Sequence, residues 1–354
     1  MATLAQRAEA RARRLGLRGP QVRPWVLPGA PLVHELRWRA RLAAARPVDL
    51  DRYGATLRLH EREVLLPCHL CGATRVKPLF HVRDTERGRW EYRVVRCPDC
   101  GLLYRNPGIR PERLGDLYAG DAYGRFLTGH YGGRRRMRRY RLVMRAFRPL
   151  FARGDGRRLL DYGCGAGLFL RIADRRGFEP YGVDLSPAAI EIARQHPSGR
   201  NAHLGAPEDI PEIAAGGFDV ITLWSVLAHL AEPVADLRRL RALLKPDGVL
   251  LILTVNVNSL GLKARGARWN GFTANHLAFF DPVTLARLTR EAGFGAVDVK
   301  PMYGDGVERG TSPLSKAEQR RLRRAIDRGN RGNMMRAVAY ADPDGPARAR
   351  ARTR

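Results

Sequence analysis

The 354-residue sequence lacks any long apolar run; stretches such as Val249–Val255 are its longest. These fall far short of the ~20 residues needed to cross a bilayer. The opening residues, MATLAQRAEARARR, are basic but carry no apolar segment, so no secretory signal is expected. Cysteine is scarce: five in the chain, too few for a disulfide-stapled scaffold. Acidic residues are outnumbered, with 35 Asp and Glu against 63 Lys and Arg, which gives a net charge of +28. The excess is mostly Arg, accompanied by Ala, Gly and Leu, a composition that a GC-rich genome also imposes. Charge alone is therefore not read as a nucleic-acid signature, although attraction to polyanions or an anionic membrane surface at low salt follows from it. Hydrophobic residues at 44% and charged residues at 28% describe a globular chain, and the length suggests about two domains. The expected compartment is the cytoplasm.

Five regions are expected along the chain. Residues 1–64 form a basic segment broken by prolines, in which Leu32–Ala45 predicts a short amphipathic helix packed on the protein, or else a peripheral membrane contact. Residues 65–107 hold two CxxC pairs flanking the alternating strand Trp90–Arg96. Residues 108–157 form a helical linker or lid, Arg-rich from about Gly133 to Phe151. From 158 to 341 short apolar runs alternate with helical stretches, the pattern of a parallel sheet covered on both faces. Residues 342–354 read as a disordered basic tail.

The pairs Cys68/Cys71 and Cys97/Cys100 have the spacing C-x2-C-x25-C-x2-C, each followed by glycine. Two intervening residues bring both sulfurs of a knuckle to one ion, and four sulfurs close a tetrahedral site with no open position. A structural zinc ribbon is the expectation, with His69 and His81 as bystanders. No thioredoxin-like βαβ unit surrounds either pair, which disfavours a redox role.

The string Leu159-Leu160-Asp161-Tyr162-Gly163-Cys164-Gly165-Ala166-Gly167 runs from an apolar strand through a glycine turn into a helix. Glycine is needed where backbone approaches a ligand closely and turns sharply. Asp184 ends the next strand, where a carboxylate accepts hydrogen bonds from two ribose hydroxyls. Ser186 and Pro187 then open a helix. The spacing is not GxGxxG, and Asp161 is placed to serve an amino-acid ammonium. An aminoacyl-nucleoside fits better than a pyrophosphate.

On these residues, with GAPEDIP (205–211), FDVITLWSVLAHL (218–230) and LRALLKPDGVLLILTVN (240–256), residues 158–341 resemble a class I S-adenosylmethionine (SAM)-dependent methyltransferase. More narrowly, the chain resembles the group near the ubiquinone-biosynthesis O-methyltransferases. Relatives with an N-terminal ribbon occur in bacterial sugar, polysaccharide and secondary-metabolite pathways. The resemblance implies an α/β, Rossmann-like seven-stranded sheet of order 3-2-1-4-5-7-6 beside a small zinc ribbon, with an acceptor-pocket insertion at 256–283. It implies that Asp161, Gly163, Gly165 and Gly167 surround the methionine part of the cofactor, and that Asp184 and Leu185 meet the ribose and adenine. It also implies Glu208 at the adenine edge and a floor from Leu223, Trp224 and Ser225. Ala206 stands where many relatives carry Asp, so recognition of the adenine amino group is expected from Glu208, Asp209 or backbone. Tyr118 and Tyr123 match a feature often seen between ribbon and core, which either forms a lid over the cofactor or simply packs.

Methyl transfer to a hydroxyl needs a proton acceptor, for which His serves best. His229 follows the fourth core strand and His276 lies in the insertion; these two are the candidate bases. Ala228 replaces the Glu frequent in relatives, which argues against a catalytic metal. Trp269, Phe272, Phe279 and Phe280 either wall an apolar pocket or belong to the core. No Asn/Asp-Pro-Pro-Tyr string follows the fourth strand, and no CxxxCxxC occurs. The reading is thus a SAM-dependent O-methyltransferase acting on a small molecule: a sugar, a glycan or lipid-linked precursor, or a secondary metabolite. The alternatives are an RNA methyltransferase gripping its substrate through the ribbon and the Arg134–Arg148 cluster, and a non-catalytic SAM-binding or zinc-ribbon scaffold.

Overall fold

The computed structural model describes residues 30–83, 91–117, 147, 155–302 and 332–346. Tyr118, Tyr123, the Arg134–Arg148 cluster apart from Phe147, and the end of the basic tail lie outside the described residues. Helix α1 (Ala30–Ala44) leads into strands β1 (Val48–Asp49), β2 (Arg75–Arg83), β3 (Glu91–Arg96) and β4 (Leu103–Arg105), joined as an antiparallel sheet. The α1 helix packs on its own protein: Trp38 stacks on Phe80 with ring centroids 6.0 Å apart, and Glu35 receives Lys263 Nζ at 2.7 Å.

The second sheet begins with β5 (Arg158–Tyr162), β6 (Glu179–Asp184), β7 (Ala202–Leu204), β8 (Phe218–Trp224) and β9 (Leu244–Val255). Between them run α2 (Leu168–Asp174), α3 (Pro187–Arg194) and α4 (Pro233–Leu243). After β9 the chain makes α5 (Leu260–Arg265), β10 (Ala278–Phe279), α6 (Pro282–Glu291), β11 (Ala296–Met302) and β12 (Met334–Tyr340). The seven strands lie in the order β11-β12-β9-β8-β5-β6-β7. All run parallel except β12, which is antiparallel to both neighbours. This mixed, Rossmann-like sheet explains the continuous apolar runs of β8 and β9: strands covered on both faces bury every side chain, not alternate ones.

Helix starts follow local chemistry. Ser186 Oγ accepts from Ala189 N at 3.3 Å, with Pro187 in the first turn of α3. Asp281 caps α6, its carboxylate accepting from Thr284 N at 2.7 Å while Thr284 Oγ1 accepts from Asp281 N at 2.9 Å.

The cysteine-bearing sheet extends beyond the 65–107 span expected from the sequence. It takes β1 from the N-terminal segment and β10 from the insertion, where Ala278 pairs with Tyr104 and Phe279 with Leu103. Ribbon and insertion therefore share one sheet. Trp269, Phe272, Phe279 and Phe280 are all buried. The first three pack in that layer, against Phe80 and Leu103, and they are core, not an exposed wall.

Candidate active site

The glycine turn between β5 and α2 is built around close approach. Gly163 has φ of 75°, and a Cβ there would lie 2.5 Å from Val226 Cγ2, so both backbone conformation and space select glycine. Gly163 N and Cys164 N both donate to Val183 O, at 2.8 and 2.9 Å, which locks the turn onto the end of β6. Asp184 completes it: one carboxylate oxygen accepts from Gly165 N and the other from Ser186 N, each at 2.9 Å. Every carboxylate oxygen has two lone pairs, so acceptor capacity remains for a pair of hydroxyls. Leu185, beside it, is 66% exposed, an apolar side chain offered at the open edge of the site.

Asp161 lies beneath the turn, 2% exposed, and accepts from Thr222 Oγ1 at 2.7 Å across the β5–β8 pairing. Burial pushes its carboxyl up to about 8, moderated by the Thr222 hydrogen bond, and the Asp184 charge adds to the rise. A buried carboxyl of this kind ionises when a cation is supplied. The donor set fits the amino-acid and ribose ends of SAM: a recessed acid for an ammonium, a strand-end acid for a diol, and bare backbone between them.

Glu208 lies 3.7 Å from Arg239, which also pairs with Asp236, and both the Glu208 and Arg239 side chains are about half exposed. Asp209, whose Oδ2 lies 3.9 Å from a Cβ built on Gly205, is the acid that faces the turn after β7. Leu223 and Trp224 are both buried, on opposite faces of β8; Trp224 packs edge-on to Phe169 and Phe147, with centroids at 4.8 and 5.5 Å. From this stretch the site receives backbone and the exposed Ser225, which has φ of 63°.

His229 and His276 are brought together, their rings edge to face with centroids 4.8 Å apart. His276 Nδ1 lies 2.8 Å from Gly271 O; a carbonyl only accepts, so Nδ1 carries the proton and Nε2 keeps the lone pair. Among the described residues Nε2 has no hydrogen-bond partner. The His229 ring is hydrogen-bonded by the backbones of Asn275 and Ser225. Burial lowers His276 to about 4; burial and then the neighbouring His276 lower His229 to about 3, so both are neutral at pH 7. Val226, which closes on Gly163, also accepts from His229 N at 2.8 Å, and Leu277 N donates to Ala228 O at 2.7 Å. His229 is thus tied through its backbone to the residue that closes on Gly163, and the chain after His276 is tied to Ala228.

The four ribbon cysteines bring their sulfurs within 4.8 Å of one another, with Cys68–Cys100 at 3.4 Å and Cys71–Cys97 at 3.6 Å. Four thiolates bound at ~2.3 Å around one tetrahedral ion stand about 3.8 Å apart, so the cluster fits structural zinc. Sharing a proton with Cys68 pushes Cys100 down to about 5 and Cys68 upward, the start of the deprotonation that metal binding completes. Neither nearby histidine joins the cluster. His81 pairs with Glu91 at 2.9 Å, while His69 Nδ1 bonds Ala231 O at 2.7 Å and so ties the knuckle to the turn after His229.

Residues 133–299 match a family model described as a methyltransferase domain. The ubiquinone biosynthesis O-methyltransferase of Cereibacter sphaeroides is 36% identical over 164 residues, 43% of this chain and 66% of that protein. The enzyme of the same name from Neisseria meningitidis is 32% identical over 160 residues, 42% of this chain and 67% of that protein. A SAM-dependent methyltransferase from Archaeoglobus fulgidus superposes with a TM-score of 0.46 at 22% identity, covering 62% of this chain and all of that one. The glycine turn and the strand-end acids define a nucleoside-binding α/β protein. The chain belongs to the class I SAM-dependent methyltransferases, whose methyl donor is SAM. The curated matches cover about two thirds of those relatives' length and leave the ribbon outside the alignment with the family model.

Proposed function

We propose that this protein methylates a hydroxyl of a small molecule (a sugar, a glycan or lipid-linked precursor, or a secondary metabolite) with His276 receiving the hydroxyl proton at Nε2. The observation that carries the reading is the pairing of His276 with His229, whose backbone N bonds Val226, the residue that closes on Gly163. Bound SAM supplies a methyl group activated on a sulfonium. Asp161 would hold its ammonium and Asp184 its ribose hydroxyls, and glycine at 163 would leave the turn's backbone open to it. Positioning of this sort accounts for much of the acceleration of an in-line transfer.

His276 is a weak base, and that suits the task. An oxygen becomes strongly acidic only as it takes the methyl group, so the proton leaves during bond formation and no prior alkoxide is required. The Gly271 carbonyl fixes the tautomer that leaves Nε2 able to accept. His229, edge-on to His276 and held by Asn275 and Ser225, orients the partner ring.

Labelled-methyl transfer from SAM into cell-extract fractions, separated into metabolite, lipid, glycan and RNA pools, tests the reading. Label should enter a metabolite, lipid or glycan pool and vanish with His276→Ala while SAM affinity stays within about threefold. Label confined to RNA would overturn the substrate class. Full turnover by the variant would overturn the role of His276.

A further inference from the structure

Arg105 is a buried arginine that the methyl-transfer reading leaves unused. Its side chain is 3% exposed, in a strand of the ribbon sheet. A guanidinium in such a place is costly unless its contacts are specific. Nη1 donates to Ala274 O at 3.1 Å, Nη2 faces Glu63 Oε1 at 3.7 Å, the group lies 5.1 Å from the Tyr92 ring centroid, and Nε has no partner. Its own backbone N donates to Leu277 O at 2.8 Å. One residue therefore grips both ends of the 274–277 segment, the side chain at one end and the main chain at the other. His276 sits between the two grips, and Asn275, whose backbone bonds the His229 ring, sits there too. The pairing of β4 with β10 starts only at Ala278, so strand pairing does not fix residues 274–276; the fork of Arg105 reaches them.

We propose that Arg105 is a positioning residue for the His229–His276 pair, through which the cysteine ribbon sets the acceptor side of the active site. The proposal rests on His276 acting as the base. Arg105→Lys keeps a cation for Glu63 but loses the planar fork that spans to Ala274 O. Glu63→Gln removes the counter-ion, at a cost in stability, while keeping the bond of the fork to Ala274 O.

The test uses full-length, zinc-loaded protein labelled with ¹⁵N at histidine. It reads the His276 Nδ1–H resonance, SAM affinity, and kcat against KM for the acceptor. Arg105→Lys should shift or broaden the resonance and lower kcat about tenfold or more, given that ~1 Å of misplacement costs up to ~10²-fold. SAM affinity should stay within about threefold, and Glu63→Gln should match the parent in all readouts. An unmoved resonance in Arg105→Lys overturns the proposal whatever the activity. Equal effects from Glu63→Gln also overturn it, because general stability of the ribbon would then be the cause. A moved resonance with unchanged kcat supports the positioning and refutes His276 as the base, which separates the two readings.

Discussion

Asp161 and His276 carry opposite pH signatures. Below about pH 8 the native Asp161 carboxyl keeps its proton, while the unfolded chain releases it near 4. The native state thus binds more protons between those values, and stability falls as pH rises through that window. Asp161→Asn can still accept from Thr222, so it should stabilise the ligand-free protein at pH 7.5 by at least about 1 kcal/mol while weakening SAM binding tenfold or more, a trade-off readable by thermal unfolding and calorimetry. Wild-type binding at pH 7 should release a proton, seen as a heat that varies with buffer ionisation enthalpy; no such variation would refute the pairing of Asp161 with the ammonium. The histidines run the other way. Their folded values of about 3 and 4 lie below the usual 6.5, so the unfolded chain binds more protons, and stability is lost as pH falls from 6.5 toward 4. The acid limb of kcat should accordingly fall near 4, not 6.5, and a midpoint at 6.5 would mean a solvated base elsewhere.

At the scale of elements, the turn after β5 is the part least able to absorb change. Gly163→Ala meets Val226 and a φ of 75°, so SAM affinity should fall at least tenfold, in line with the ~1–3 kcal/mol of a strained backbone. Adding Val226→Ala should recover part of the stability but little of the affinity, because the backbone strain stays. This turn was legible in the sequence because its glycines, the strand-end acid and the Ser186–Pro187 cap are local signals. The four cysteines were legible for the same reason. Other features depend on distant partners. The β10 strand is two residues long, shows no alternation, and pairs with Tyr104 and Leu103 far away in the chain. Glu208 gave no local sign that Arg239 would lie beside it. Trp224 gave none that Phe169 and Phe147 would take its ring.

For the molecule as a whole, the cysteine-bearing sheet takes a strand from the insertion that carries His276, and such sharing leaves no compositional mark in the sequence. Metal analysis should find one zinc per chain. Cys97→Ser should lower both the melting temperature and the turnover while SAM affinity stays within about threefold; parallel loss of affinity and turnover would mean that the ribbon supports the whole fold. Among the described residues no helix is long and apolar enough to cross a membrane. The account stands on the cradle formed by the glycine turn and Asp184, and calorimetry of SAM and its demethylated product on the full-length protein tests it most directly. Both ligands should bind at one site per chain, with Asp184→Ala weakening each at least tenfold. Absence of binding heat, or equal affinity in the variant, would contradict it.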